Sequence, residues 1–122
     1  MITDTEEDKM AHRMNLMKVY FNAIEKGIKT VEMRLNDEKR KGIKIGDIIC
    51  FGCDGDSNRY MSVRVVGRRE FSDFTALASA YDRKTLGFGG QSAEAVGAFM
   101  TSLYGESAVR ENGVVALEIE KI

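Results

Sequence analysis

The chain has 122 residues, of which 43% are hydrophobic and 30% charged, and its formal net charge is −1. That length suits one domain burying roughly two thirds of its unfolded surface, with no need for a disulfide or a metal, and the composition excludes an intrinsically disordered chain. No apolar run approaches the ~20 residues that span a bilayer, and the polar start MITDTEEDK is not a secretory signal, so a cytoplasmic location without membrane contact is expected.

In chain order, residues 1–9 carry Asp4, Glu6, Glu7 and Asp8 against Lys9 and are expected to form a disordered acidic leader. Residues 10–122 are expected to form a single domain. Residues 12–16 are predicted as a short edge strand. Met17, Tyr20, Phe21 and Ile24 follow at helical i, i+3, i+4, i+7 spacing, and Gly27 suits the C-terminal cap. The period then changes to two: Val31, Met33 and Leu35 point one way, Thr30, Glu32 and Arg34 the other. This predicts a half-buried strand whose polar face sets an acid beside a base.

Residues 36–41 form a polar connection, a turn or one short helical turn. Gly46 and Asp47 signal a turn before a strand over residues 47–51. Residues 52–58 are rich in turn formers; their DGDSN run lacks the late acidic ligand of a calcium loop and predicts a hairpin turn. Met61, Val63 and Val65 alternate as the next strand. Phe74, Leu77, Ala78 and Tyr81 have helical spacing with Ser72 or Asp73 as N-cap. Residues 86–90 (LGFGG) are expected to be a flexible loop. Val96, Phe99, Met100 and Leu103 mark a further helix, and Val115, Leu117 and Ile119 a final strand. The order predicts an α+β fold around a mostly antiparallel sheet or small barrel.

Cys50 and Cys53 form a lone CxxC; a zinc ribbon needs a second pair, and His12 is the single histidine. The thiols therefore read as structural, and no metal or cofactor is expected. There is no HExxH, no serine elbow and no phosphate-cradling glycine loop. Charge is uneven nonetheless: residues 26–44 hold seven basic residues against three acidic ones, a field that either steers a polyanion or forms a solvated face.

The segment GIKTVEMRLNDEKRKGIKIGDIICF resembles the signature of ASCH domains, named after activating signal cointegrator homology, of the PUA-like superfamily. The likeness rests on Gly27, the Lys29-Thr30-x-Glu32-x-Arg34 run, residues 37–40 (DEKR) and Gly46-Asp47 before an apolar strand. His12, Leu16, Tyr104 and Gly113-Val114-Val115 are similar to compact bacterial members. The resemblance implies a PUA-like mixed or antiparallel β-barrel with flanking helices, and a cleft lined by the KTxExR strand. It also implies RNA as partner, or a nucleotide or nucleoside. Similar proteins include an amidohydrolase for N-acetylated cytidines and a ribonuclease. In amidohydrolase-like members a lysine at the position of Lys29 works with a threonine and a glutamate. Here the threonine position is Glu32, and Glu94 aligns poorly with the glutamate.

Two readings of the residues follow. In the first, RNA or a nucleotide binds a basic cleft built from Lys29, Thr30, Glu32, Arg34, Lys39, Arg40 and Tyr104. Arg34 would hold a phosphate bidentately, Glu32 accept from a base amino group, and Lys39 and Arg40 meet backbone phosphates. Tyr104, with Tyr60 as the weaker candidate, would stack on a base. In the second, a hydrolase acts on a modified nucleoside or on RNA, with Lys29 as activating base and Glu32 or His12 as acid–base partner. The bland alternatives stand beside them: a surface lysine after a helix cap, a surface Glu32–Arg34 pair worth about 0–1 kcal/mol, a solvated turn over residues 37–40 and a structural His12. Strict strand parity sets Lys29 on the Val31 face, opposite Glu32, unless a junction ahead of the strand frees it. A protein-interaction module for an acidic partner is the third reading.

Overall fold

The computed structural model describes residues 11–122; the acidic leader expected over residues 1–9 lies outside them. In chain order the elements are β1 (Ala11–Leu16), α1 (Lys18–Glu25), β2 (Val31–Leu35), α2 (Glu38–Lys41), β3 (Ile48–Cys53) and β4 (Asp56–Phe71). They continue with α3 (Phe74–Ala80), α4 (Ala93–Tyr104), α5 (Glu106–Asn112) and β5 (Val114–Lys121). The apolar stripe of α1 buries Phe21 and Ile24. At its end Gly27 takes φ +79°, which turns the backbone so that Ile28 N and Lys29 N both donate back to Ala23 O. Asp73 and Ser92 cap α3 and α4 by accepting from Ala76 N and Ala95 N.

The five strands form one curled half-barrel sheet in the order β1-β3-β4-β5-β2. β1 runs parallel to β3, and every other pairing is antiparallel. β4 is longer than its Met61–Val65 alternation predicts, because it bends. Its register against β5 shifts between Val65 and Gly67, and a Cβ on Gly67 would lie 2.6 Å from Glu118 Oε1. The bulge raises the local twist, and one long strand thereby serves two neighbours.

Two apolar cores lie on opposite faces of this sheet. Inside the curl, Phe21 and Ile24 of α1 pack on Met14, Phe51, Val63 and Leu117. Outside it, α3, α4 and α5 cover Val31, Met33 and Leu35 of β2 together with Val114 and Ala116 of β5. β5 is thus buried on both faces over Val114, Val115, Ala116 and Leu117, where each larger side chain contributes roughly 1.5–3 kcal/mol. Helix α5 goes beyond the two late helices expected; it buries Val109 alone and is set off by Gly105 and Gly113, both at positive φ.

Cys50 and Cys53 fall on opposite faces of β3, half-buried and buried, and both are free. Among the described residues no helix is long and apolar enough to cross a membrane. Helices α3 and α4 meet at Gly97, where a Cβ would strike Thr75 Oγ1 and lie 2.9 Å from Thr75 Cα. Gly97→Ala is therefore expected to lower stability by about 1–3 kcal/mol through overpacking, although alanine is the better helix former. Urea denaturation measures this, and an unchanged midpoint would show that the helices separate without cost.

Candidate functional site

β1 and β2 are the two edges of the curled sheet and are not paired with each other. Side chains bridge the seam instead: Arg34 Nη2 donates to Asn15 O at 2.7 Å, and Lys39 Nζ donates to Arg13 O at 3.0 Å. Carbonyls that an edge strand would otherwise leave to solvent are thereby satisfied. Arg34 reaches Asn15 because Glu32, on the same face of β2, holds it: Arg34 Nε donates to Glu32 Oε2 at 2.8 Å.

Lys29 completes the group. It precedes β2, so strand parity does not bind it, and its Nζ lies 3.2 Å from Glu32 Oε1. The same Nζ donates to Val31 O at 2.6 Å and Leu86 O at 2.8 Å. Three acceptors match the three protons of an ammonium. Lys29 and Glu32 are 2% and 5% exposed, so the polar face of the strand is buried at Glu32 while Arg34 stays partly exposed. Gly87 makes this approach possible. It has φ +89°, and a Cβ there would lie 3.1 Å from Lys29 Cδ and 3.3 Å from Tyr20 Cδ1. The LGFGG segment is consequently a fastened turn, with Leu86 and Phe88 buried and Phe88 N donating to Arg83 O.

The electrostatics follow from burial and pairing. Burial pushes the Glu32 carboxyl up, but the Lys29 and Arg34 cations outweigh it and hold the group below its usual 4.5. Burial lowers Lys29 against the opposing pull of Glu32. Arg34 is raised, burial being outweighed by Glu32 and then Tyr104. Two cations and one anion leave one net positive charge.

Above these charges is a cavity of about 140 Å³. Its lining includes Tyr20, Leu16, Phe88, Met100 and Tyr104 together with Asn15 and Asp54. Tyr20 packs on Phe88 with ring centroids 5.3 Å apart, and Tyr104 stacks on Phe74 at 5.6 Å. Burial, then Glu32, raises the Tyr20 phenol; burial also raises the Tyr104 phenol, which Arg34 opposes. Neither hydroxyl has a hydrogen-bond partner among the described residues, and neither does Arg34 Nη1. The cavity thus offers one guanidinium edge and two phenols within an otherwise apolar, aromatic wall.

Of the residues singled out from the sequence, Lys29, Glu32, Arg34 and Tyr104 meet here. Thr30 is exposed and serves through its backbone, its N donating to Thr85 O and its O accepting from Ile119 N. Lys39 is on the outer side of the seam, and Arg40 pairs with Asp37 at 3.1 Å; neither lines the cavity. His12 is bonded to Asp47 at 2.8 Å, away from Glu32. Tyr20, Asn15 and Phe88 were not anticipated as lining residues. The one local signal was Tyr20, a polar-tipped residue in the apolar stripe of α1. Among the described residues no three His, Cys, Asp or Glu side chains come together to hold a metal ion.

Removing one partner of a buried ion pair strands the other. Lys29→Met is expected to cost about 3–5 kcal/mol in urea denaturation, and adding Glu32→Leu should recover part of it. Because the Glu32 carboxyl is depressed in the folded state, its contribution is complete above about pH 4.5 and lost as pH falls through its lower folded value. Carbon-detected NMR should find it still ionised when exposed carboxylates are half-protonated; titration at or above 4.5 would contradict the pairing.

No curated protein matches the chain. Among solved structures, the hypothetical protein PH0355 is 36% identical, with 93% of this chain and 100% of that one covered at a TM-score of 0.82. Protein PF0455 from Pyrococcus furiosus is 32% identical over 93% and 98% of the two chains, with a TM-score of 0.73. An ASCH protein from Zymomonas mobilis shares the fold at 16% identity and a TM-score of 0.62, over 93% of this chain and 68% of that one. The curled half-barrel with helices packed outside it is the PUA-like arrangement. The ASCH domain matches residues 14–122, and the chain belongs to that family.

Proposed function

We propose that this domain binds RNA or a nucleotide by taking one base into the cavity beneath Tyr104. The observation that carries the reading is Arg34: its Nε and Nη2 are committed to Glu32 and Asn15, Nη1 has no partner among the described residues, and the residue lines an aromatic-walled cavity. A base carbonyl or ring nitrogen satisfies that donor, the Tyr20 and Tyr104 hydroxyls add polar contacts, and the rings supply stacking surface. The volume fits one planar ring system; drug-sized ligands occupy roughly 300–1,000 Å³. Glu32 already has three of its four or so lone-pair positions filled by Lys29, Met33 and Arg34. Its part is to align Arg34 rather than to read a base amino group. Phosphates belong outside, where Arg13 and Lys39 are exposed along the seam.

Fluorescence anisotropy with a short labelled RNA at two salt concentrations tests this. Arg34→Ala should weaken binding about tenfold or more, as loss of a hydrogen bond from a charged donor does, and wild-type binding should fall with added salt. Unchanged affinity in the variant would remove the reading.

A hydrolytic reading is favoured by one observation, the lowering of Lys29 by burial, the direction a lysine base requires. Its three acceptors oppose that, since they hold the ammonium form. Incubating nucleosides and short RNAs with wild type and with folded Lys29→Met protein, followed by mass spectrometry, decides between them. A product formed by wild type alone establishes turnover, and intact ligands with retained RNA leave a binding domain.

A further inference from the structure

The helices cover β2 and β5, and α1 fills the inside of the curl, so the outer face of β1, β3 and β4 is uncovered among the described residues. Register places Asn15, Gly52 and Tyr60 in one row across the three strands, and Arg13, Cys50 and Ser62 in the next. These residues point outward, because their neighbours Met14, Phe51, Met61 and Val63 point into the core. Tyr60 is 68% exposed, a large aromatic surface open to solvent. Gly52 carries no side chain; a Cβ there would lie 2.6 Å from Asn15 Oδ1. The Asn15 amide lies over that position, and a hollow of about 450 Å³ is lined by Asn15, Gly52 and Tyr60 together with the β3–β4 hairpin. Asn15 and Asp54 line this hollow and the cavity alike, so the two adjoin.

We propose that this outer sheet face is a second contact surface for single-stranded RNA, taking the nucleotide adjacent to the base held in the cavity. The inference rests on the reading of the cavity given above. The chemistry selects a nucleic acid strand. An exposed tyrosine stacks on a base of any identity, and the Asn15 amide is placed beside it. Asp54 and Asp56 of the β3–β4 hairpin also line the hollow; carboxylates repel phosphate and accept from base amino groups or ribose hydroxyls. The backbone then runs the other way, over Arg13 and Arg64, which are exposed on the same face. From Tyr60 to Arg64 and from Ile48 to Gly52 the outward positions of β4 and β3 carry no carboxylate; Glu120 of β5, opposite Arg64, bounds the strip.

The test compares a fluorescein-labelled ten-nucleotide RNA of mixed sequence with the four nucleoside 5′-monophosphates on the full chain. Wild type should bind the RNA more tightly than any monophosphate. Tyr60→Ala should weaken RNA binding about 5- to 100-fold while leaving the monophosphates unaffected, and Arg34→Ala should weaken both. Arg13→Ala with Arg64→Ala should lessen the salt slope by roughly 1.4, the value for two single-strand phosphate contacts. Tyr60 is on the surface, and an unchanged melting temperature confirms that its variant folds. RNA binding that survives Tyr60→Ala, or RNA bound no more tightly than a monophosphate, overturns the second surface and leaves the cavity reading standing. Failure of wild type to bind either class overturns both.

Discussion

A sheet that curls without closing must satisfy two open edges, and here the buried Lys29–Glu32–Arg34 group does so at one of them. The strand carbonyls of Asn15 and Arg13 accept from Arg34 and Lys39 in place of a neighbouring strand. Taking charges out of water costs several kcal/mol each, and their attraction compensates only when geometry and extra hydrogen bonds are good. Both conditions hold: each of the Lys29 protons has an acceptor, and Glu32 is bonded on both oxygens. Arg34 ties the interior of the group to the rim of the seam.

The same arrangement that holds the seam prepares the cavity. A guanidinium fixed at two of its nitrogens loses little freedom when the third meets a ligand, which is the advantage of preorganisation. The environment is apolar over most of its wall, so a contact there is stronger than it would be in water. Glu32 is shifted toward its ionised form and Arg34 toward its protonated form, so each partner favours the charged state of the other.

Much of the architecture was legible in the sequence, and the failures are local and physical. The alternation of Val31, Met33 and Leu35 marks a strand in any context, and Gly27 marks the helix end before it. The polar face of β2 was legible as polar but not as buried, because burial of Glu32 depends on Tyr20, Phe88 and Met100 from distant segments. Residues 86–90 look flexible in isolation; Lys29, 57 residues earlier than Leu86, fastens them. Lys39 and Arg40 follow the signature strand in sequence, yet the turn into α2 carries them past the cavity. His12 could have faced either way; Asp47, adjacent through the parallel pairing of β1 and β3, took it.

The sequence by itself determined the element types, the α+β class, the family resemblance and the residues Lys29, Glu32, Arg34 and Tyr104, because periodicity, caps and spaced polar identities are properties of short segments. Tertiary structure alone decided that the sheet stays open, that Lys29, ahead of the strand, turns back onto Glu32, and that Arg34 keeps one nitrogen without a partner among the described residues. Those outcomes follow from which distant carbonyls and rings surround each charge. A buried charge goes where acceptors are, and only the folded chain brings them together.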